Sequence, residues 1–205
     1  WMNMWNTQMP TQSYGWAGAM TMSRELSISP KGKLYMSPVP EYEMLRDQHF
    51  RLENICLQPR SSNILKGICG DCMEINAAFK LPSGDNRLDP NNDISFGIRL
   101  RCSSDGSQYT DVGYNAATKI LYVDRNKSGI GDKGLCSCSL QSYEGLIKMR
   151  IFLDKSSLEV FANDGEKVLS ARIYPDLSST GLEVFTNGGL IDLLSIDIWS
   201  MKSIW

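Results

Sequence analysis

Apolar residues recur at every second position along much of this chain, and the fold must satisfy that period. In ISFGIRLRC, Ile94, Phe96, Ile98 and Leu100 point one way while Ser95, Gly97, Arg99 and Arg101 point the other. Such alternation belongs to a strand with one face buried and one in water. IKMRIFL repeats it with Ile147, Met149, Ile151 and Leu153, and LEVFAN sets Leu158 and Val160 against Glu159 and Phe161. Further strands are expected near 72–80, 119–123, 167–174, 182–187 and 193–201. Between them, Asn163-Asp164-Gly165 and Asn187-Gly188-Gly189 supply the positive φ that tight hairpins need. The regular spacing predicts an all-β chain folded as an antiparallel β-sandwich. Glu159 and Glu183 then fall on solvated outer faces, where removing Glu159 should move stability by no more than about 0.5 kcal/mol. Asp154 and Asp164 flank the Glu159 strand in turns, where aspartate bonds locally.

Composition excludes several classes of function. The 205 residues carry 21 basic and 23 acidic side chains, a net charge of −2, which gives no field to attract nucleic acid. The apolar run LIDLLSIDIW is interrupted by Asp192 and Asp197, well short of the roughly 20 residues a membrane helix needs, and no signal peptide is recognised. Neither nucleic acid nor a membrane is an expected partner. His49 is the only histidine, so a histidine-based metal cluster is excluded and a Ser-His-Asp triad would rest on one linker residue.

Six cysteines include two tight pairs, Cys69/Cys72 and Cys136/Cys138. Four soft donors in two pairs suit tetrahedral zinc, although Cys-Ser-Cys is tighter than the usual knuckle. The competing reading is small thiols packed in strands, with no metal and no cofactor. Thiols without a secretory signal favour the cytoplasm, with secreted and periplasmic sites as alternatives.

The chain opens WMNMW, uncharged and aromatic, which suits an inward-facing strand better than a solvated tail and points to a piece of something longer. Residues 1–35 form a strand–turn–strand unit dense in Trp and Met, too small for a core of its own. SPVPEYEMLRDQ predicts a short connecting helix: Pro40 takes the first position, Glu41 and Glu43 the positive end, Arg46 the other.

These segments also carry a family resemblance. WMNMW, GWAGAMTMSRELSI (15–28) and GKLYMSPVPE (32–41) resemble the end of the catalytic propeller of glycoside hydrolase family 32, the invertases, sucrose-6-phosphate hydrolases, levanases and inulinases. LYVDRNKSG (121–129), FLDKSSLEVFANDGEKVLSARIYP (152–175) and LEVFTNGG (182–189) are similar to the family's C-terminal sandwich. The likeness is weakest over 56–92, and Ser23 stands where the family usually has proline, a change expected to loosen the turn.

The resemblance implies a concanavalin-like (lectin-like) sandwich behind a short remnant of a five-bladed β-propeller. Residues 1–37 would end the propeller, 38–50 form a linker with a short helix, and 51–205 make the sandwich. Family 32 enzymes resemble retaining glycosidases that use two carboxylates. Met4 stands where the nucleophilic aspartate of a W-M-N-D-P-N motif would be, Arg46-Asp47 is followed by Gln48, Asp89-Pro90 is preceded by Leu88, and no Glu-Cys dipeptide occurs. No catalytic residue is therefore expected in this chain, which should be inactive alone. Trp1, Asn3 and Trp5 are the candidate sugar contacts; for Trp1, Trp5 and Trp16, filling the propeller core is the competing role. The implied partners are the N-terminal catalytic propeller of the same protein, a fructose-containing saccharide, and a second copy in a homo-oligomer. The alternatives are an autonomous lectin-like carbohydrate-binding module using Tyr109, Tyr114 or Tyr143, and a zinc-stabilised interaction domain on Cys69, Cys72, Cys136 and Cys138.

Overall fold

The alternation of the sequence becomes two antiparallel sheets in the computed structural model, which describes residues 1–2, 6–81 and 93–203. Strands β1 (Arg24–Ile28) and β2 (Leu34–Pro38) form a separate hairpin. One large sheet contains β3 (Arg46–Leu57), β4 (Met73–Lys80), β9 (Leu146–Asp154), β10 (Ser157–Ala162), β11 (Lys167–Arg172) and β13 (Ile191–Met201). Its order is β11-β10-β9-β4-β13-β3. The other contains β5 (Ser95–Cys102), β6 (Thr110–Asn115), β7 (Ile120–Asp124), β8 (Leu135–Ser139) and β12 (Gly181–Asn187), in the order β12-β5-β6-β7-β8. Their inner faces meet in one core that includes Ile75, Phe79, Phe96, Ile98, Ile151 and Val160. The family of inward residues read from the period is therefore the packed one.

Two local expectations change. The connecting helix is a 3-10 segment, Pro40–Leu45, with proline in its first turn and acidic residues at Glu41 and Glu43. Arg46 is already extended, because pairing of β3 with β13 takes up the chain there. Arg101 also departs from the outward face assigned to it. The pairing of β12 with β5 shifts register between Gly181 and Glu183, and Arg101 has φ 54°. The irregularity turns its side chain inward, fully buried, where Nε donates to the Ser179 carbonyl at 2.6 Å, Nη1 to that of Lys155 at 3.0 Å and Nη2 to that of Asp176 at 3.3 Å. Burial lowers its pKa from the usual arginine value, against the pull of Asp71 and Asp154.

Strand β10 corrects the reading of Glu159. Leu158 and Val160 are buried as expected, but so are Glu159 and Phe161. The outer face of the large sheet is covered here by the N-terminal stretch. The Asn163-Asp164-Gly165 turn carries positive φ at all three residues, and β2 lies on it: Met36 N–H donates to the Gly165 carbonyl at 2.9 Å. Any Cβ at Gly165 would collide with the Met36 carbonyl oxygen, so glycine is what permits the approach.

Candidate functional site

The chain's unusual chemistry lies in the seam between residues 22–46 and the outer face of the large sheet. Three buried glutamates, Glu74, Glu159 and Glu166, each take a cation from that N-terminal stretch. Glu159, on β10, accepts from the Met22 backbone N–H at 2.6 Å and from Arg24 Nη2 at 2.6 Å, and Ser170 Oγ donates to it at 3.1 Å. Glu74, on β4, is gripped by Arg46 through Nε at 2.8 Å and Nη2 at 2.7 Å, while Arg150 Nε donates at 2.7 Å from β9. This fork geometry raises the pKa of Arg46, chiefly through its hydrogen bonds to Glu74. The Arg46 guanidinium also lies 4.1 Å from the centre of the Trp199 ring, on which His49 stacks at 4.6 Å. Glu166 bonds Lys33 Nζ and accepts from Tyr143 Oη at 2.7 Å. Burial pushes the Glu166 carboxyl up, but the Lys33 and Tyr143 hydrogen bonds together outweigh it and hold the group below its usual range.

A buried charge is tolerated only when paired, so the Arg24–Glu159 and Lys33–Glu166 contacts tie the hairpin to the sheet, while Arg46–Glu74 secures the start of β3 within it. Ser23 adds to the tie. Its N–H donates to Tyr42 Oη at 2.9 Å and its carbonyl accepts from Val39 N–H at 3.2 Å. Proline has no N–H to give, so serine fastens this turn instead of loosening it.

Beyond the seam the N-terminal stretch is apolar and open. Leu26, Ile28 and Leu34 of the hairpin, with Trp1, Tyr14, Trp16 and Met20, are exposed. Exposed apolar side chains in this number suit an interaction surface. Trp1 and Trp16 therefore do not fill a core in this chain, while Asn3 and Trp5 lie outside the described residues. A cleft of about 630 Å³ opens beside Glu159, walled by Met20, Met22, Tyr42, Met73 and Met201. Thioethers make such a wall adaptable.

Other candidates from the sequence are placed elsewhere. Cys69 bridges to Gly181 at edge strand β12, while Cys136 and Cys138 lie on β8 at the opposite edge of that sheet. The two thiol pairs are not brought together, and among the described residues no three His, Cys, Asp or Glu side chains gather as metal ligands. The tyrosine platform of the lectin alternative does not form either. Tyr114 is buried with its Oη donating to the Leu140 carbonyl at 3.1 Å, Tyr109 lies between Arg99 and Lys127 at 4.8 Å from each, and Tyr143 is held by Glu166.

Sequence reasoning passed over one carboxylate cluster. Asp111 on β6 lies across from Asp124 on β7, and Arg99 bridges Asp111 and Glu183 at 3.1 Å each. Burial, aided by Asp124 and Glu183 and opposed by Arg99, leaves Asp111 raised to about 6. Two of the cluster's carboxylates are taken up by Arg99. Arg99 fills the space between the carboxylates and its guanidinium sits 4.8 Å from the Tyr109 ring centre and 4.9 Å from that of Phe185. A cross-strand pair of acids, Asp111 and Asp124, was the signal available in the sequence.

The family profile described as "Glycosyl hydrolases family 32 C terminal" matches residues 41–200. This chain belongs to glycoside hydrolase family 32. A levanase of Bacillus subtilis is 34% identical over the whole chain, which covers 30% of that protein. A sucrose-6-phosphate hydrolase of Zymomonas mobilis is 32% identical over 98% of the chain, which covers 38% of it. The fold is shared with the crystal structure of exo-inulinase from Aspergillus awamori, with a TM-score of 0.81 at 25% identity over 100% of this chain and 40% of that one. The family 32 chain thus spans about a third of the length of the curated relatives it matches, and the match is to their C-terminal domain.

Proposed function

We propose that this chain is the C-terminal part of a fructan- or sucrose-cleaving β-fructofuranosidase, a retaining glycosidase whose two carboxylates lie in an N-terminal catalytic propeller. Residues 1–37 are the end of that propeller, 38–50 the linker, which enters β3 of the sheet from Arg46 on, and 51–205 the rest of the bracing sandwich. The observation that carries this reading is the seam. The hairpin is fastened to the sandwich through Arg24, Lys33 and the Glu159 and Glu166 carboxylates, while its Leu26, Ile28 and Leu34 stay exposed to solvent. A hairpin clamped to one body by buried ion pairs, with its other apolar side chains bare, suits a joint between two bodies. The propeller is the occupant of the bare surface, and Trp1, Asn3 and Trp5 are the candidate contacts to its sugar. The sandwich holds the last propeller strands in place and leaves the chemistry to the upstream blades.

The purified chain should release no fructose from sucrose or from levan, because the nucleophile and acid/base motifs of the family's retaining pair of carboxylates do not occur in its sequence. Activity should appear only when the catalytic N-terminal part is supplied, in the same chain or as a second one. Turnover by the isolated chain would refute this reading.

A further inference from the structure

A second cleft, of about 400 Å³, opens on the outer face of the large sheet and is roofed at one end by Ser37 and Pro38 of the hairpin. Its floor is Ala78. On either side of this small residue, at the same level of the sheet, stand Ser195 on β13 and Lys148 on β9. The adjacent row reads Asp197, Asn76 and Arg150 across the same three strands. Alanine between longer neighbours is what leaves the hollow, and its volume falls within the range of about 300–1,000 Å³ usual for small-molecule sites.

The charges at the rim are already matched. Lys148 Nζ lies 2.9 Å from Asp164, Arg150 Nε 2.7 Å from Glu74, and Asp197 is 2.8 Å from both Arg51 and His49. The groups left over are neutral. Among the described residues, neither end of the Asn76 amide has a protein partner, and its Oδ1 is buried and unpaired. The Ser195 hydroxyl likewise bonds to no described residue. A charged ligand would find no free countercharge here, whereas a ring carrying several hydroxyls both donates and accepts, as an amide and a hydroxyl do. Reversing the Asn76 amide exchanges a buried acceptor for a buried donor and leaves the site equally unsatisfied.

We propose that this cleft binds one neutral sugar ring, with Asn76 and Ser195 as its hydrogen-bonding residues and Ala78 as its floor. The choice of sugar rests on the fructoside reading given above: a fructosyl unit of a longer saccharide is the expected occupant. The geometry of the cleft does not depend on it.

Calorimetric titration of the 205-residue chain with inulotriose, and in parallel with maltotriose, tests both layers. Saturable binding of inulotriose is expected, weakened about tenfold or more by Asn76→Ala combined with Ser195→Ala, since two hydrogen bonds are lost. Ala78→Trp should abolish it by filling the hollow. Both variants should unfold within about 3 °C of the parent, because the changes lie on a half-exposed face. Maltotriose binding that the same variants abolish, without inulotriose binding, would uphold the cleft and contradict the fructoside reading. No binding of either sugar, or binding indifferent to all three substitutions, would overturn the proposal.

Discussion

Glu74→Ala should lower the stability of this chain by about 3 kcal/mol, and with it the unfolding temperature by roughly 6–12 °C for a domain of this size. Glu74 is fully buried in the middle of the large sheet and receives Arg46 twice and Arg150 once. Its removal strands two guanidinium groups. Both retain Glu43, at 3.2 Å from Arg46 and 3.3 Å from Arg150, and both are partly open to water. These escapes set the expectation at the low end of what an orphaned buried charge costs. Glu74→Gln keeps the shape and one acceptor, so it should cost about half as much. Chemical denaturation with tryptophan emission as the probe measures both. A loss below about 0.5 kcal/mol for Glu74→Ala would mean that the arginines do not depend on it.

Leu158→Ala and Glu159→Ala should be comparably damaging, although the two side chains point to opposite faces of one strand. Leu158 is 1% exposed in the core, where truncation to alanine costs about 2–5 kcal/mol through lost burial and the cavity left behind. Glu159 is 3% exposed beneath the N-terminal stretch. Losing it leaves the Met22 N–H without its acceptor and Arg24 Nη2 with Ser170 Oγ alone, an effect of about 3–5 kcal/mol for a buried pair broken from one side. The two can be told apart by where the damage falls. Leu158→Ala should weaken the whole sandwich, whereas Glu159→Ala should first free the hairpin. A Glu159→Ala variant as stable as the parent would place the residue on a solvated face after all.

The alternation of Ile147, Met149, Ile151 and Leu153 was enough to locate the core, because burial of an inner sheet face is written into consecutive residues. The family, too, was legible from DKSSLEVFANDGE and its neighbours. Burial of an outer face is another matter. Glu159 looks like any solvated strand glutamate, since the backbone N–H that covers it comes from Met22, 137 residues away. Arg101 was unreadable for a different reason: one register shift in the facing strand turned an outward position inward. The cysteine pairs show the converse, a local spacing that promised a metal site which the sheet order separates. Of the sugar contacts read from the opening residues, Trp1 is exposed and Asn3 and Trp5 fall outside the described residues.

Native-state hydrogen exchange of the hairpin measures most directly whether residues 22–46 and the sandwich form one body. Met36 N–H bonds to Gly165, and β1 pairs with β2 from Arg24↔Pro38 to Ile28↔Leu34, so these amides are protected only while the hairpin stays seated. If the buried glutamates lock it down, the hairpin amides should open with nearly the same free energy as core amides of β4 and β9, and Glu159→Ala should lower the hairpin values selectively. Hairpin amides that exchange within minutes while the core stays protected would contradict the account, because the N-terminal stretch would then be an appendage and not the joint.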